Sequence, residues 1–171
     1  MENAPWGLMR ISSAKTISPS RYYYPDEAGQ GVDIYVIDTG VDASHPEFGG
    51  RVVERVSFVS GESSNVEDGH GHGTHVAGTC AGVTFGVAKK ANLIGVRVLD
   101  NSGSGWWTDV IAGIEWVYNR HASNNRPSVI NMSLGGDTVD AVDAAVNAAV
   151  AAGVYGKKSV DLLTTSHCIC R

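Results

Sequence analysis

Two short segments gather side chains able to do chemistry. One is Asp38-Thr39-Gly40, and the other is Asp68-Gly69-His70-Gly71-His72-Gly73-Thr74-His75-Val76-Ala77-Gly78. Asp38 follows Val32 to Ile37, an apolar run broken only by Asp33. A carboxylate at the end of a buried strand is partly desolvated and keeps its charge only with a hydrogen-bonding or cationic partner. The second segment offers imidazoles among glycines, which let backbones approach closely, ahead of a run of small residues suited to tight helix packing. One reading of Asp68, His70, His72 and His75 is a D-x-H-x-H-x-x-H metal site with acceptable ligand types. Glycine-interleaved loops, however, rarely fix ligand geometry without further contacts. Cys80 reads as a small buried apolar residue, since its spacing from His72 along one helix does not bring sulfur to imidazole.

The elements that must position these groups follow from periodicity. Val32 to Ile37, Val52 to Val59, Asn92 to Leu99 and Ser128 to Leu134 read as strands. His72 to Gly82, Trp107 to His121 and Thr138 to Ala152 read as helices, with Thr108 as an N-cap and Gly153 as a stop. Residues 1–31 read as a loop-rich arm whose Trp6 and Tyr22 to Tyr24 pack on a surface. Alternating strands and helices predict an α/β fold with a mostly parallel sheet and a ligand site at the carboxyl ends of the strands.

Composition narrows the function classes. The chain has 171 residues, 13 basic and 18 acidic, a net charge of -5, and 43% hydrophobic residues. That suits one domain, and the charge balance excludes nucleic acid as principal partner. No apolar run approaches the roughly 20 residues of a membrane helix, so a membrane partner is not expected. Three cysteines, Cys80, Cys168 and Cys170, do not form a closed disulfide framework. The N-terminus lacks the pattern of a secretory signal.

Tyr35-Val36-Ile37-Asp38-Thr39-Gly40 and His72-Gly73-Thr74-His75-Val76-Ala77-Gly78 resemble the aspartate and histidine motifs of the subtilisin family, peptidase S8, and most closely its proteinase K branch. Ala4-Pro5-Trp6-Gly7-Leu8, Ser44-His45-Pro46-Glu47-Phe48 and Val129-Ile130-Asn131-Met132-Ser133-Leu134-Gly135-Gly136 carry the same resemblance. It implies a three-layer fold with helices flanking a mostly parallel sheet, here incomplete at the C-terminal side. It also implies a serine endopeptidase that needs no cofactor. Asp38 then corresponds to the triad aspartate and His72 to the general base. Imidazole suits a base near neutrality, while a buried carboxylate fixes its tautomer and stabilises the imidazolium. Gly103, Ser104 and Gly105 correspond to an edge that pairs with extended substrate backbone, and Ser133, Leu134, Gly135 and Gly136 to a wall of the primary specificity pocket. Trp106 and Trp107 fall at the rim of an apolar subsite or serve packing.

The family's Gly-Thr-Ser-Met-Ala nucleophile motif and its oxyanion asparagine are not found. Ser159 and Ser166 lie in a different setting. Residues 1–153 are therefore read as the N-terminal part of the catalytic domain, and 154–171 as an aberrant tail. The chain by itself is expected to be inactive and poorly soluble, with an exposed sheet edge at Ser128 to Leu134. The parent is expected to be secreted, with a prodomain as inhibitor and extended polypeptides as substrates. The family's strongest calcium site falls outside the resembling segment, so no metal is expected. Alternatives are a non-catalytic peptide-binding fragment or a histidine-cluster metal protein.

Overall fold

The computed structural model describes residues 1–13 and 21–155. Ser159, Ser166, Cys168 and Cys170 lie outside the described residues. Four strands, β1 (Asp33–Asp38), β2 (Val52–Ser57), β3 (Asn92–Arg97) and β4 (Ser128–Asn131), form one sheet in the order β2-β3-β1-β4. Every pairing is parallel. The helices are α1 (Trp6–Ile11), α2 (His72–Ala81), α3 (Trp107–Asn124) and α4 (Asp140–Ala151). A 3-10 turn spans Pro46–Phe48.

Alternation along β1 creates the layers. Tyr35 and Ile37 pack with Val110, Ile114 and Val117 of α3 and Val142 and Val146 of α4. Ile34 and Val36 face Val76, Ala77 and Cys80 of α2 on the other side. Because both faces are covered, β1 is buried at all six positions, which explains the apolar stretch Ile34 to Ile37 between its terminal aspartates. The predicted three-layer α/β architecture is the one observed.

Differences from expectation have local causes. Residues 6–11, expected as loop, form a short helix after Pro5, whose backbone is preset for a helix start. Thr108 is not the N-cap of α3: Trp106 holds that position with no side-chain cap bond. Asp109 of the first turn is buried and accepts hydrogen bonds from Ser60 N and Oγ at 3.1 and 2.9 Å. Val83 lies past the end of α2 and is exposed. β4 stops at Asn131 rather than Leu134, at the point where its pairing with Val36 of β1 ends.

The chain continues past Gly153 into the fold. Val154 is 1% exposed within the α3–α4 core, and Tyr155 bridges Val129 in parallel. Tyr155 N donates to Ser128 O at 2.8 Å, and Ile130 N donates to Tyr155 O at 3.0 Å. The edge of β4 is thus partly covered by residues that the sequence assigned to the start of the tail. Among the described residues no helix is long and apolar enough to cross a membrane.

Candidate active site

Asp38 is the last residue of β1, and His72 is the first of α2. Asp38 is fully buried, and its Oδ1 lies 2.7 Å from Nδ1 of His72, whose side chain is 40% exposed. A carboxylate can only accept, so Nδ1 carries the proton and Nε2 keeps its lone pair on the open side of the ring. Asp38 Oδ1 also accepts from Thr39 N at 2.7 Å, while Oδ2 is buried without a partner among the described residues. Among those residues Asp38 is the one side chain hydrogen-bonded to His72.

Close approach of β1 and α2 depends on glycine. Gly40 sits at φ +113°, and a Cβ there would meet the backbone of Asp68 at 3.1 Å. Gly73 N donates to Thr39 Oγ1 at 2.9 Å. Thr39 Oγ1 donates in turn to Asp68 Oδ1 at 2.8 Å.

Asp68 is therefore not part of a metal cluster. Its oxygens accept from Thr39, Thr74, Gly71 and His70 donors within the protein. Burial pushes its carboxyl up, but these hydrogen bonds outweigh that and hold it below the usual aspartate range. His75 is exposed on α2, and His72 faces Asp38. Among the described residues no three His, Cys, Asp or Glu side chains converge to hold a metal ion. The sequence did not reveal Asp68 as the hydrogen-bond partner of Thr39 and Thr74, which flank the Asp38–His72 contact. An aspartate shortly before a helix start was the available signal.

The 100–105 turn closes on itself. Gly103 N donates to Asp100 O at 3.0 Å, and Ser104 N donates to Asp100 Oδ1 at 3.1 Å. Ser104 O accepts from Asp100 N. Of the expected strand-pairing residues, Gly105 retains a main-chain N–H with no partner among the described residues. Gly103 is at φ +77°, with the His70 ring against its Cα; His70 and His72 are themselves in edge contact at 6.2 Å.

The 133–136 segment is more open. Main-chain groups of Leu134, Gly135 and Gly136 make no hydrogen bonds among the described residues, and both glycines are exposed. Ser133 Oγ accepts from Asn131 Nδ2 at 3.0 Å. Trp107 links the two segments: it follows the 100–105 turn in sequence, packs on the core, and lies under Gly136. Trp106 is 71% exposed.

The fold is thus a parallel three-layer α/β architecture that holds a buried carboxylate against an imidazole where β1 ends and α2 begins. The model of the Subtilase family matches residues 29–163, extending past Gly153. The chain belongs to the subtilase family. It is 47% identical over 164 residues to the subtilisin-like serine protease Pen ch 18 of Penicillium rubens, a match covering 90% of this chain and 33% of that protein. It is 48% identical to a cuticle-degrading protease of Metarhizium anisopliae, covering 89% of this chain and 39% of the relative. A crystal structure of a cold adapted subtilisin-like serine proteinase superposes with a TM-score of 0.82 at 46% identity, covering 91% of this chain and 55% of the other. The chain thus spans about a third of the length of the Penicillium rubens and Metarhizium anisopliae proteases and about half of the cold adapted proteinase.

Proposed function

We propose that this chain carries the aspartate–histidine half of a serine endopeptidase site of the proteinase K branch. Asp38 is its orienting carboxylate and His72 its general base. The single observation carrying this reading is the 2.7 Å contact between Asp38 Oδ1 and His72 Nδ1. In the complete site, Nε2 of His72 takes the proton of an attacking hydroxyl as it bonds to the scissile carbonyl carbon, then returns it to the leaving amine. The buried Asp38 carboxylate stabilises the imidazolium formed in between.

The hydroxyl comes from outside the described residues, none of which besides Asp38 reaches the His72 side chain by a hydrogen bond. Extended polypeptide substrate lies between Gly103, Ser104 and Gly105 on one side and Ser133, Leu134, Gly135 and Gly136 on the other. Gly105 N–H and the unpaired backbone of Leu134 to Gly136 supply main-chain hydrogen bonds. The parent protein acts outside the cell and is restrained by its own prodomain. Residues 1–171 alone bind peptide without cleaving it.

Two measurements test this reading. Residues 1–171 are expected to give no turnover of an apolar peptide anilide; turnover abolished by a serine-directed phosphonate contradicts their inactivity. A chimera in which residues 1–153 replace the matching segment of the Metarhizium anisopliae protease is expected to cleave that substrate. Asp38→Ala or His72→Ala should then abolish cleavage, and activity indifferent to both changes refutes the assigned roles.

A further inference from the structure

Resting on the reading of Asp38 and His72 as the catalytic pair, we propose that Asp68 is its positioning residue, orienting two threonine hydroxyls that clamp the end of β1 to the first turn of α2. A threonine hydroxyl has one proton to give, and its oxygen accepts from elsewhere. Thr39 gives its proton to Asp68 Oδ1 at 2.8 Å, which leaves its lone pairs to accept from Gly73 N at 2.9 Å. Thr74 gives its proton to Asp68 Oδ2 at 2.5 Å and accepts from Asp42 N at 2.9 Å.

Both links therefore have a fixed direction, set by one carboxylate. The first joins the neighbour of Asp38 to the neighbour of His72. The second joins the segment after β1 to the same helical turn. Asp68 further accepts from Gly71 N at 2.8 Å and Thr74 N at 2.9 Å, which holds the start of α2 in place. With Thr39 N bonded to Asp38 Oδ1, the path from Asp68 to the pair contains only hydrogen bonds and adjacent residues. Without Asp68 the Thr39 hydroxyl is free to rotate its proton toward Gly73 N, and the link is lost.

The test reads the His72 Nδ1–H proton directly by NMR of the 171-residue chain at mildly acidic pH, assigned by its disappearance in His72→Ala. A low-field resonance is expected for the unaltered chain. Asp68→Asn should shift it upfield and speed its exchange with water roughly tenfold, the factor that about one lost hydrogen bond represents. Thr39→Val should do the same while keeping the bonds of Asp68 to Thr74 and the helix amides, so it carries the test if Asp68→Asn does not fold. Thr39→Ser, which keeps the hydroxyl, should restore the original signal. Asp33→Asn, a destabilising change at the other end of β1, should leave it in place. An unchanged resonance in folded Asp68→Asn or in Thr39→Val overturns the role of Asp68. Absence of the resonance from the unaltered chain overturns the Asp38–His72 pair itself.

Discussion

Gly73 lies against Gly40 with no space between them for a side-chain carbon. A Cβ on Gly73 would overlap the Gly40 carbonyl oxygen and sit 3.2 Å from both Cβ and Oδ1 of Asp38. Nothing flexible is available to yield, because the opposing atoms are backbone and a fully buried aspartate. Gly73→Ala is therefore expected to lower stability by about 1–3 kcal/mol and to push α2 away from β1, breaking the Asp38–His72 contact. Gly78 on the same helix has open space at its Cβ position, so Gly78→Ala is expected to stabilise by about 0.5–1 kcal/mol through helix propensity. Urea unfolding of both variants checks the pair. Equal effects would falsify the close-packing argument.

At the opposite end of β1, Asp33 is buried and accepts from Asn92 Nδ2 at 2.9 Å, Arg120 Nη1 at 3.0 Å and Arg126 Nε at 3.0 Å. Burial pushes its carboxyl up, but these donors more than compensate and hold it below its ordinary value of 3.8. A folded-state value below the unfolded one means that the stabilisation is present above pH 3.8 and lost as pH falls through the folded value. Asp33→Asn is expected to cost about 3 kcal/mol near neutral pH, since it leaves two guanidinium groups short of their buried anion. The variant and the unaltered chain should converge in stability once the pH has fallen below the folded-state value of Asp33. A constant difference across that range would mean that the loss is one of packing.

How far the sequence revealed this arrangement depends on the range of the interactions. β1 and α2 were legible from local pattern, an apolar run ending in Asp38 and glycines with small residues after His72, whereas the pairing of those two side chains was implied by the resemblance to the subtilisin family. The environment of Asp33 was not legible, since it depends on Arg120 and Arg126 arriving from α3 and the loop beyond it. The same limit applies to Asp68, whose oxygens suit a metal equally well until Thr39 and Thr74 are seen to occupy them. Short α1 carries too little periodicity to be distinguished from loop. Thr108 has the right chemistry for a cap, yet the chain enters α3 already at Trp107, where the indole packs on the core.

Arg97 is the largest fully buried side chain, and it lies at the carboxyl end of β3. Its guanidinium donates to Glu62 Oε2 at 2.9 Å, Asn65 O at 3.1 Å and Asn101 Oδ1 at 3.1 Å. It thus ties the loop after β2 and the 100–105 turn to the sheet. Arg97→Leu removes the buried charge together with its bonds, and Glu62, 43% exposed, can be solvated in its place. The loss should therefore fall near the lower end of the range for broken buried pairs, about 3 kcal/mol. Limited proteolysis should show new cuts within residues 60–65 and 100–105 before the rest of the chain is attacked. Protection equal to that of the unaltered chain in both loops would mean that they are held by their own turns.

Gly136 and Trp107 meet at the wall of the proposed peptide cleft. A Cβ on Gly136 would come 2.7 Å from Cζ2 of Trp107, too close for any real contact. Trp107 is packed against the α3–α4 core and has little freedom to move, whereas the 134–136 backbone makes no hydrogen bonds among the described residues. Gly136→Ala should accordingly shift the loop rather than the indole. Stability should change by less than about 1 kcal/mol, because the exposed 134–136 backbone has no hydrogen bonds among the described residues to lose when it shifts. Affinity for an extended apolar peptide should fall roughly tenfold, the factor corresponding to about 1.4 kcal/mol of misplaced backbone pairing. Trp106→Ala removes an exposed ring and should leave affinity within about twofold if that ring lies outside the cleft. Calorimetric titration with the peptide distinguishes the two positions: a larger loss at Trp106 than at Gly136 would move the binding surface onto the exposed indole and away from Leu134 to Gly136.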